Sequence, residues 1–207
     1  MLAGGQSDGH TAMLARAFDT ETLMTFVWDE AEPVVALLTH HIPLRAVPAA
    51  LTSDRVEIAV RRLVKGLASD FGKQRPHIGV LGLNPHAGEG GRLGTEEEDF
   101  VVPALIRLRE AGFSVDGPLP GDATFAYRDR YDAILALYHD QGLAPVKALA
   151  FDRAVNVTFG LPFIRTSPAH GTAFGIAGRG EASPTSMQAA IHWAVRMARQ
   201  RLGSSSR

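Results

Sequence analysis

Short apolar runs alternate with segments of helical periodicity along most of the chain, and this alternation limits its fold more than any other feature. The runs are rich in Val, Ile, Leu or Phe, as strands buried on both faces are. Strands that alternate with helices pack in layers, so the sequence predicts an α/β fold. The predicted strands are 24–28, 33–38, 77–83, 133–137 and 154–158.

Amphipathic helices are predicted between and after these strands. One begins at the capping candidate Ser53, because apolar residues recur at helical spacing behind it with basic residues opposite. A second begins at Thr95, which has a Glu three positions on as in a capping box, and ends near Gly112. The last begins at Ser183 with Pro184 at its first position. Its predicted apolar stripe consists of Met187, Ala190, Ile191, Ala194, Val195 and Ala198.

Composition narrows the classes of function. The chain has 207 residues, of which 45% are hydrophobic and 21% charged, so it can bury a sizeable core. A formal net charge of -1 with mixed signs gives no basic field for nucleic acid and no polybasic run for a membrane. The start has no signal-peptide pattern, and no apolar stretch reaches about 18 residues. These observations predict a cytoplasmic protein that binds a small molecule.

Candidate metal ligands collect where three predicted strands end. The segments are LLTHHIPLR at 37–45, GLNPHAGEGG at 82–91 and LYHDQG at 137–142. The chain has no cysteine, so a metal must be held by His, Asp or Glu, and three imidazoles with an open position are typical of a catalytic metal site. The candidates are His86, His139 and either His40 or His41. Adjacent residues in extended chain face opposite sides, so the pattern does not choose between those two.

Two other histidines and one loop have simpler interpretations. His77 and His192 are expected to be structural. The glycine-rich loop after Leu83 matches neither GxGxxG nor GxxxxGK[ST], so it is either an anion cradle or a tight surface connection.

Candidates for holding an anionic substrate lie at both ends of the chain. Lys147, Asn156 and Arg165 are near one another in sequence, and Arg165 follows an apolar segment and precedes a polar turn, where a guanidinium can grip a carboxylate or phosphate. His10 and Thr11 precede a helical run, where they form either an oxygen-anion site or a simple helix cap.

Long strings of the sequence closely resemble the 4-hydroxythreonine-4-phosphate dehydrogenase family of pyridoxal phosphate biosynthesis. The strings are THHIPLRAVP, GLNPHAGEGGRLGTEE, YHDQGLAPVKALAFDRAVNVTFGLPFIRTS and HGTAFGIAGRG. The resemblance implies a layered α/β/α architecture like that of isocitrate and isopropylmalate dehydrogenases, with the first domain incomplete. It implies a metal- and substrate-binding domain at 1–165 and a segment at 166–207 that returns to the incomplete domain.

The resemblance also implies a site and a reaction. The implied ligands of a divalent metal (Zn, Mg or Co) are His41, His86 and His139. The implied substrate contacts are His10, Thr11, Lys147, Asn156 and Arg165. Family members are homodimers with the active site at the interface, so His139 is expected to serve the partner's site. The implied reaction oxidises 4-phosphohydroxy-L-threonine with NAD or NADP and decarboxylates the product to 3-amino-2-oxopropyl phosphate.

Departures from the family pattern keep alternatives open. Nothing here corresponds to the family's leading α/β stretch with its GDPxGIGPE-like motif, and Ala12, Ala169 and Gly175 stand where acidic residues are usual. One alternative is therefore a non-catalytic metal- and phosphate-binding homologue. Another is a related dehydrogenase of threonate or erythronate phosphates. A third, which takes the three histidines alone, is a metal-dependent hydrolase.

Overall fold

The computed structural model describes residues 9–204, and one mixed sheet of seven strands organises them. The strands are β1 Leu23–Val27, β2 Val34–Leu37, β3 Ile78–Leu81, β4 Val115–Leu119, β5 Ala133–Ala136, β6 Val155–Phe159 and β7 Thr166–Pro168. Their order in the sheet is β4-β3-β5-β2-β1-β6-β7. Strands β4, β3, β5 and β2 are parallel, whereas β1 is antiparallel to both β2 and β6, and β7 is antiparallel to β6.

The helices of eight or more residues in this part of the chain are α1 His10–Ala17, α2 Ser53–Phe71, α3 Val102–Glu110, α4 His139–Ala150 and α5 Thr185–Ser204. Apolar residues of α2, α3 and α5 share one buried cluster with one face of the sheet. Apolar residues of α4 share a second cluster with the opposite face. The predicted α/β fold is confirmed, with helices on both faces of the sheet.

All five predicted strands are confirmed, and their observed ends differ from the predicted ones by at most two residues. Strands β4 and β7 were not predicted, because VDGPL and TSP lack a run of apolar residues. Both are edge strands, where Pro is tolerated because one side of the strand needs no backbone partner.

The start of α2 corrects the predicted cap. The cap is Thr52, not Ser53: Thr52 is extended and its hydroxyl oxygen accepts a hydrogen bond from the backbone N–H of Arg55. The helix ends at Gly72, whose φ of 73° gives the left-handed turn that glycine adopts without strain.

The predicted capping box at Thr95 is wrong. The Thr95 hydroxyl donates to the carboxylate of Asp99 instead, and a π-helical turn at Glu97–Val101 precedes α3. The turn directs Glu97 into the interior, where it is buried. The predicted end near Gly112 is confirmed, since α3 ends at Glu110 and Gly112 is left-handed.

The last helix begins two residues after Ser183, whose hydroxyl oxygen accepts from the N–H of Thr185. The predicted apolar stripe is right at Ala190 and wrong at its larger residues. The buried residues are Ser186, Ala190, Trp193 and Met197, whereas the exposed ones include Met187, Ile191 and Val195. The helix packs on β7 and α2 through the face that carries its bulkiest apolar side chain, Trp193.

The segment after residue 165 adds β7 and α5 to the same sheet and the same buried cluster. The predicted division at residue 165 stays a prediction. Asp8, which belongs to the N-terminal DGHT motif, and most of the GSSSR tail lie outside the described residues. No helix between residues 9 and 204 combines the length and hydrophobicity that crossing a bilayer requires.

Replacement of Gly66 with Ala tests the packing of α2 on the sheet. A Cβ at Gly66 overlaps the buried ring of Phe159 far inside van der Waals distance. We expect Gly66→Ala to lower the free energy of unfolding by about 1–2 kcal/mol after the gain in helix propensity. Thermal denaturation should show a Tm lower by roughly 2–8 °C. Gly175→Ala is the control, because a Cβ there meets open space; equal Tm values for the two variants would contradict the packing.

Candidate metal and anion site

Three loops leave the sheet at one edge because β3, β5 and β2 are parallel neighbours. His41 and His86 lie on the loops after β2 and β3, and His139 is the first residue of α4, which follows β5. The strand order puts His139 between the other two, since β5 lies between β3 and β2. Carboxyl ends of parallel strands are where open α/β sheets bind ligands.

Two of the three predicted ligands are side by side. The ring centroids of His41 and His139 are 5.8 Å apart. Nδ1 of His139 is 2.6 Å from Oδ1 of Asp140, so its other nitrogen, Nε2, is free to bind a metal. A carboxylate on the far ring nitrogen is the usual support for a histidine that ligates a metal.

The third predicted ligand stands apart. His86 lines a cleft of about 600 Å³ beside Tyr138 and Gln141, on the β3 side of His139. Within residues 9–204, no three His, Asp or Glu side chains come close enough to hold one metal ion. The structure therefore pairs His41 with His139 and does not bring His86 to them.

Two of the predicted ligands have an unusual backbone conformation. His41 and His86 both have a φ of 52°, in the left-handed region. Residues other than Gly rarely adopt this backbone conformation, because it costs of order 1 kcal/mol or more per residue. Such strain persists only where surrounding contacts impose it, and it is common at functional sites.

His40 is a packed neighbour of this pair. Burial, with smaller contributions from the charges of His41 and His139, lowers the pKa of His40. Its Nδ1 is buried and has no hydrogen-bond partner in the described chain. The more exposed ring that contacts His139 belongs to His41.

Four residues that are neighbours across adjacent strands connect the carboxyl ends of the parallel strands to the candidate anion site. The four are Ala136, Leu37, Met24 and Thr158. Thr158 is thus two strand spacings, about 10 Å, from the strand that leads to His41. Arg165 donates from Nη1 to the hydroxyl oxygens of Thr158, at 2.8 Å, and Thr11, at 3.1 Å.

Arg165 is a half-buried cation that has no acidic partner among residues 9–204. Burial lowers the pKa of its guanidinium. Because a desolvated charge gains much from an opposite charge, a phosphate or carboxylate that reaches Arg165 should bind strongly.

The structure gives different amounts of evidence for the other predicted substrate contacts near Arg165. Asn156 shares a sheet face with Thr158, two residues on, and its Oδ1 is buried without a partner in the described residues. Lys147 is half-buried on α4, which covers that face. His10 is exposed at the start of α1. Neither the Lys147 side chain nor the His10 side chain makes a hydrogen bond or ion pair with another described residue.

Comparisons with known proteins identify the family. Residues 1–194 match the family described as pyridoxal phosphate biosynthetic protein PdxA. The chain belongs to this family. The 4-hydroxythreonine-4-phosphate dehydrogenase of Ruegeria sp. (strain TM1040) is 47% identical over 96% of this chain and 61% of its own length. That of Paracoccus denitrificans is 48% identical over 96% of this chain and 63% of its own. The chain thus spans about three fifths of the length of the curated relatives it matches.

Solved structures give the same result. The 4-hydroxythreonine-4-phosphate dehydrogenase of Klebsiella pneumoniae has a TM-score of 0.83 and 41% identity, over 94% of this chain and 60% of its own. A terephthalate 1,2-cis-dihydrodiol dehydrogenase of Burkholderia xenovorans has a TM-score of 0.74 and 30% identity, over 91% of this chain and 60% of its own. The PdxA fold therefore occurs in a dehydrogenase whose name specifies another substrate.

Sequence reasoning missed a residue that connects two of the ligand loops. Oε1 of Gln141 accepts from the N–H of Leu137, and its Nε2 donates to the carbonyl of Gly82. The side chain thereby joins the end of β5 to the end of β3. No sequence pattern could have predicted this role, because Gln141 is a single glutamine after a His-Asp pair.

The histidines expected to be structural lie elsewhere. His77 precedes β3, at the opposite edge of the sheet, where its Nε2 is 3.1 Å from Oδ2 of Asp116. His192 is exposed on α5 with its ring near Trp193.

Removal of the Arg165 guanidinium tests the anion site. We expect Arg165→Ala to weaken binding of inorganic phosphate about 10- to 100-fold, because charge-assisted hydrogen bonds are lost. Arg153→Ala is the matched control, since Arg153 is exposed and its guanidinium lies 3.7 Å from the carboxylate of its neighbour Asp152. Isothermal titration calorimetry measures both, and equal weakening in the two variants would remove Arg165 from the site.

Proposed function

We propose that this chain is the metal- and substrate-binding part of a cytoplasmic NAD- or NADP-dependent dehydrogenase. The proposed reaction converts 4-phosphohydroxy-L-threonine to 3-amino-2-oxopropyl phosphate by oxidation and decarboxylation. The observation that carries the proposal is the His41–His139 pair at the same end of the sheet as a half-buried Arg165, which has no acidic partner among residues 9–204, in a member of the PdxA family. The division into 1–165 and 166–207 is part of the proposal.

We infer that His41, His86 and His139 would hold a divalent ion, Zn or Co or, less readily, Mg, once a partner completes the set. His139 supports this fit, because Asp140 occupies Nδ1 and leaves Nε2 open. When bound, the ion supplies Lewis-acid polarisation of the substrate's secondary hydroxyl. The histidines hold that hydroxyl end of the substrate at the edge of the sheet.

The remaining residues bind and orient the substrate. Arg165 grips its phosphate or carboxylate, while Thr11 and Thr158 fix the direction of the guanidinium. The unpaired Oδ1 of Asn156 accepts a hydrogen bond from the substrate's ammonium or hydroxyl group. Lys147 and His10 add donors around the anionic groups. Two fixed ends align the reacting carbon with the nicotinamide.

A homodimer with the active site at its interface is part of the proposal. The separation of His86 from the other two ligands supports it, because no described trio within one chain is close enough for a metal. Because His41 and His139 of one chain are adjacent, we expect the partner to contribute a His86 to their site. This differs from the expectation from the sequence, in which His139 serves the partner's site.

The reaction itself is tested with the purified, folded chain. We expect NADH or NADPH to form from 4-phosphohydroxy-L-threonine in the presence of divalent metal, and a chelator to abolish it. His41→Ala should reduce the rate at least about 100-fold because a metal ligand is lost, and exposed His192→Ala should not. The near-ultraviolet absorbance of the reduced cofactor measures the rate. Binding of metal and phosphate without turnover would identify a non-catalytic homologue instead.

A related dehydrogenase of four-carbon acid phosphates is the second candidate. The Asn156 acceptor favours it as well, since a carbonyl oxygen accepts equally from an ammonium and from a hydroxyl. Rates on 4-phosphohydroxy-L-threonine and on threonate and erythronate phosphates distinguish the two, and equal rates contradict the specificity proposed above.

Mixing two inactive variants tests the shared site. His41→Ala and His86→Ala should each fail to bind metal tightly. If one site takes His41 and His86 from different chains, random re-pairing makes half the dimers mixed, each with one intact site. Metal binding should then recover to about a quarter of the wild-type capacity. Calorimetric titration with Co²⁺ after mixing measures it, and no recovery would place His41 and His86 of one site in the same chain.

A further inference from the structure

Glu97 is a buried acid that the proposed reaction does not use. Its exposed fraction is 1%. Oε1 accepts hydrogen bonds from the backbone N–H groups of Leu83 and Asn84, both at 2.7 Å. Oε2 accepts from the side-chain amide of Asn84 at 3.0 Å. Both carboxylate oxygens therefore bind the two residues that lead from β3 toward His86.

Glycines surround this carboxylate closely. A Cβ at Gly88 would lie 2.6 Å from Oε2 of Glu97, and a Cβ at Gly82 would lie 3.1 Å from Oε1. These two positions bracket His86 in the chain. The loop is thus folded around the carboxylate, and side chains at either position would push it away.

The loop needs such a support because its backbone is strained. His86 and Ala87 have a φ of 52°, and Glu89 has a φ of 46°. A run of left-handed residues other than Gly persists only where neighbouring contacts impose it. One backbone hydrogen bond inside the loop, from the Ala87 N–H to the Asn84 carbonyl, is accepted by a residue that Glu97 holds.

We propose that Glu97 is a positioning residue that sets the place of the His86 imidazole. This inference rests on the proposed role of His86 as a metal ligand. Glu97 acts through Leu83 and Asn84 and touches neither metal nor substrate. Its charge matters, because Oε1 serves two N–H donors while Oε2 serves a third donor group.

Glu97→Gln isolates this role. The shape is kept, but a glutamine has one acceptor oxygen and presents an amide donor to the Asn84 amide. Glu98→Gln is the matched control, because Glu98 is the next residue and is exposed. The thermal midpoint of each variant shows whether it folds.

The first readout needs no metal. Ring resonances of the histidines and amide exchange of residues 83–94 are recorded by NMR on the metal-free chain. We expect Glu97→Gln to shift or broaden the His86 resonances and to speed exchange in the loop. The His41 and His139 resonances should stay in place, as should all three in Glu98→Gln.

The second readout is the visible absorption spectrum of bound Co²⁺, which reports ligand geometry. We expect Glu97→Gln to weaken Co²⁺ binding about 10- to 100-fold, the usual effect of losing a residue that orients a ligand, and to change the spectrum. Phosphate binding at Arg165 should not change, because that site is on the other side of β1.

Two results would overturn the proposal. One is a Glu97→Gln variant whose Tm falls while its His86 resonances and Co²⁺ spectrum stay as in the wild type, which makes Glu97 merely structural. If Glu97→Gln does not fold, Asn84→Ala removes the Oε2 contact, together with the hydrogen bond of the Asn84 amide to Glu96, and keeps both Oε1 contacts. Unchanged His86 resonances in that variant are the other result. A wild-type chain that binds no Co²⁺ refutes the metal role of His86, and the metal-free resonances still decide whether Glu97 positions it.

Discussion

The parallel register of β3, β5 and β2 is the constraint on which the candidate site depends. Ala133 pairs with both Val34 and Ile78, and each strand has four residues, so the three strands begin and end level. Their loops therefore leave the sheet at one height. A histidine three to five residues beyond each strand end then lies along one edge, although the three residues are far apart in sequence.

Strand register alone does not fix the loops; a chain of buried polar contacts does. The Thr39 hydroxyl donates to the Leu137 carbonyl at 2.7 Å, which joins the end of β2 to that of β5. Gln141 joins β5 to Gly82 after β3, and Glu97 holds the next two residues. A buried donor or acceptor is costly when its partner moves, so each contact resists displacement of its loop. This series explains how left-handed conformations are kept at two predicted ligands.

Features that follow a local sequence pattern could be predicted, whereas features that depend on one contact between residues far apart in sequence could not. Central strands were predictable because burial on both faces requires continuous apolar runs, whereas β4 and β7, at the edges, have no such requirement. The buried face of α5 was mispredicted because the helical spacing was taken from Ala, Ile and Val residues, whereas the face that packs is the one that carries Trp193. The histidines were recognisable from their place after strands. Glu97 could not be distinguished by sequence from the other acidic residues of TEEED. The contact of Arg165 with Thr11 spans 154 positions, so no local pattern could predict it.

A cation without an acidic partner and a buried acceptor without a donor give the strongest physical argument for a ligand near β6. Half-burial deprives the Arg165 cation of water, yet its two described partners, Thr11 and Thr158, are neutral hydroxyls. The Asn156 acceptor is buried on the same sheet face without a donor among residues 9–204. Neither arrangement contributes to stability, because buried polar groups lower the free energy of a fold only when they are satisfied. A molecule that carries an anion and a hydrogen-bond donor satisfies both groups at once, and a phosphorylated amino acid has that combination.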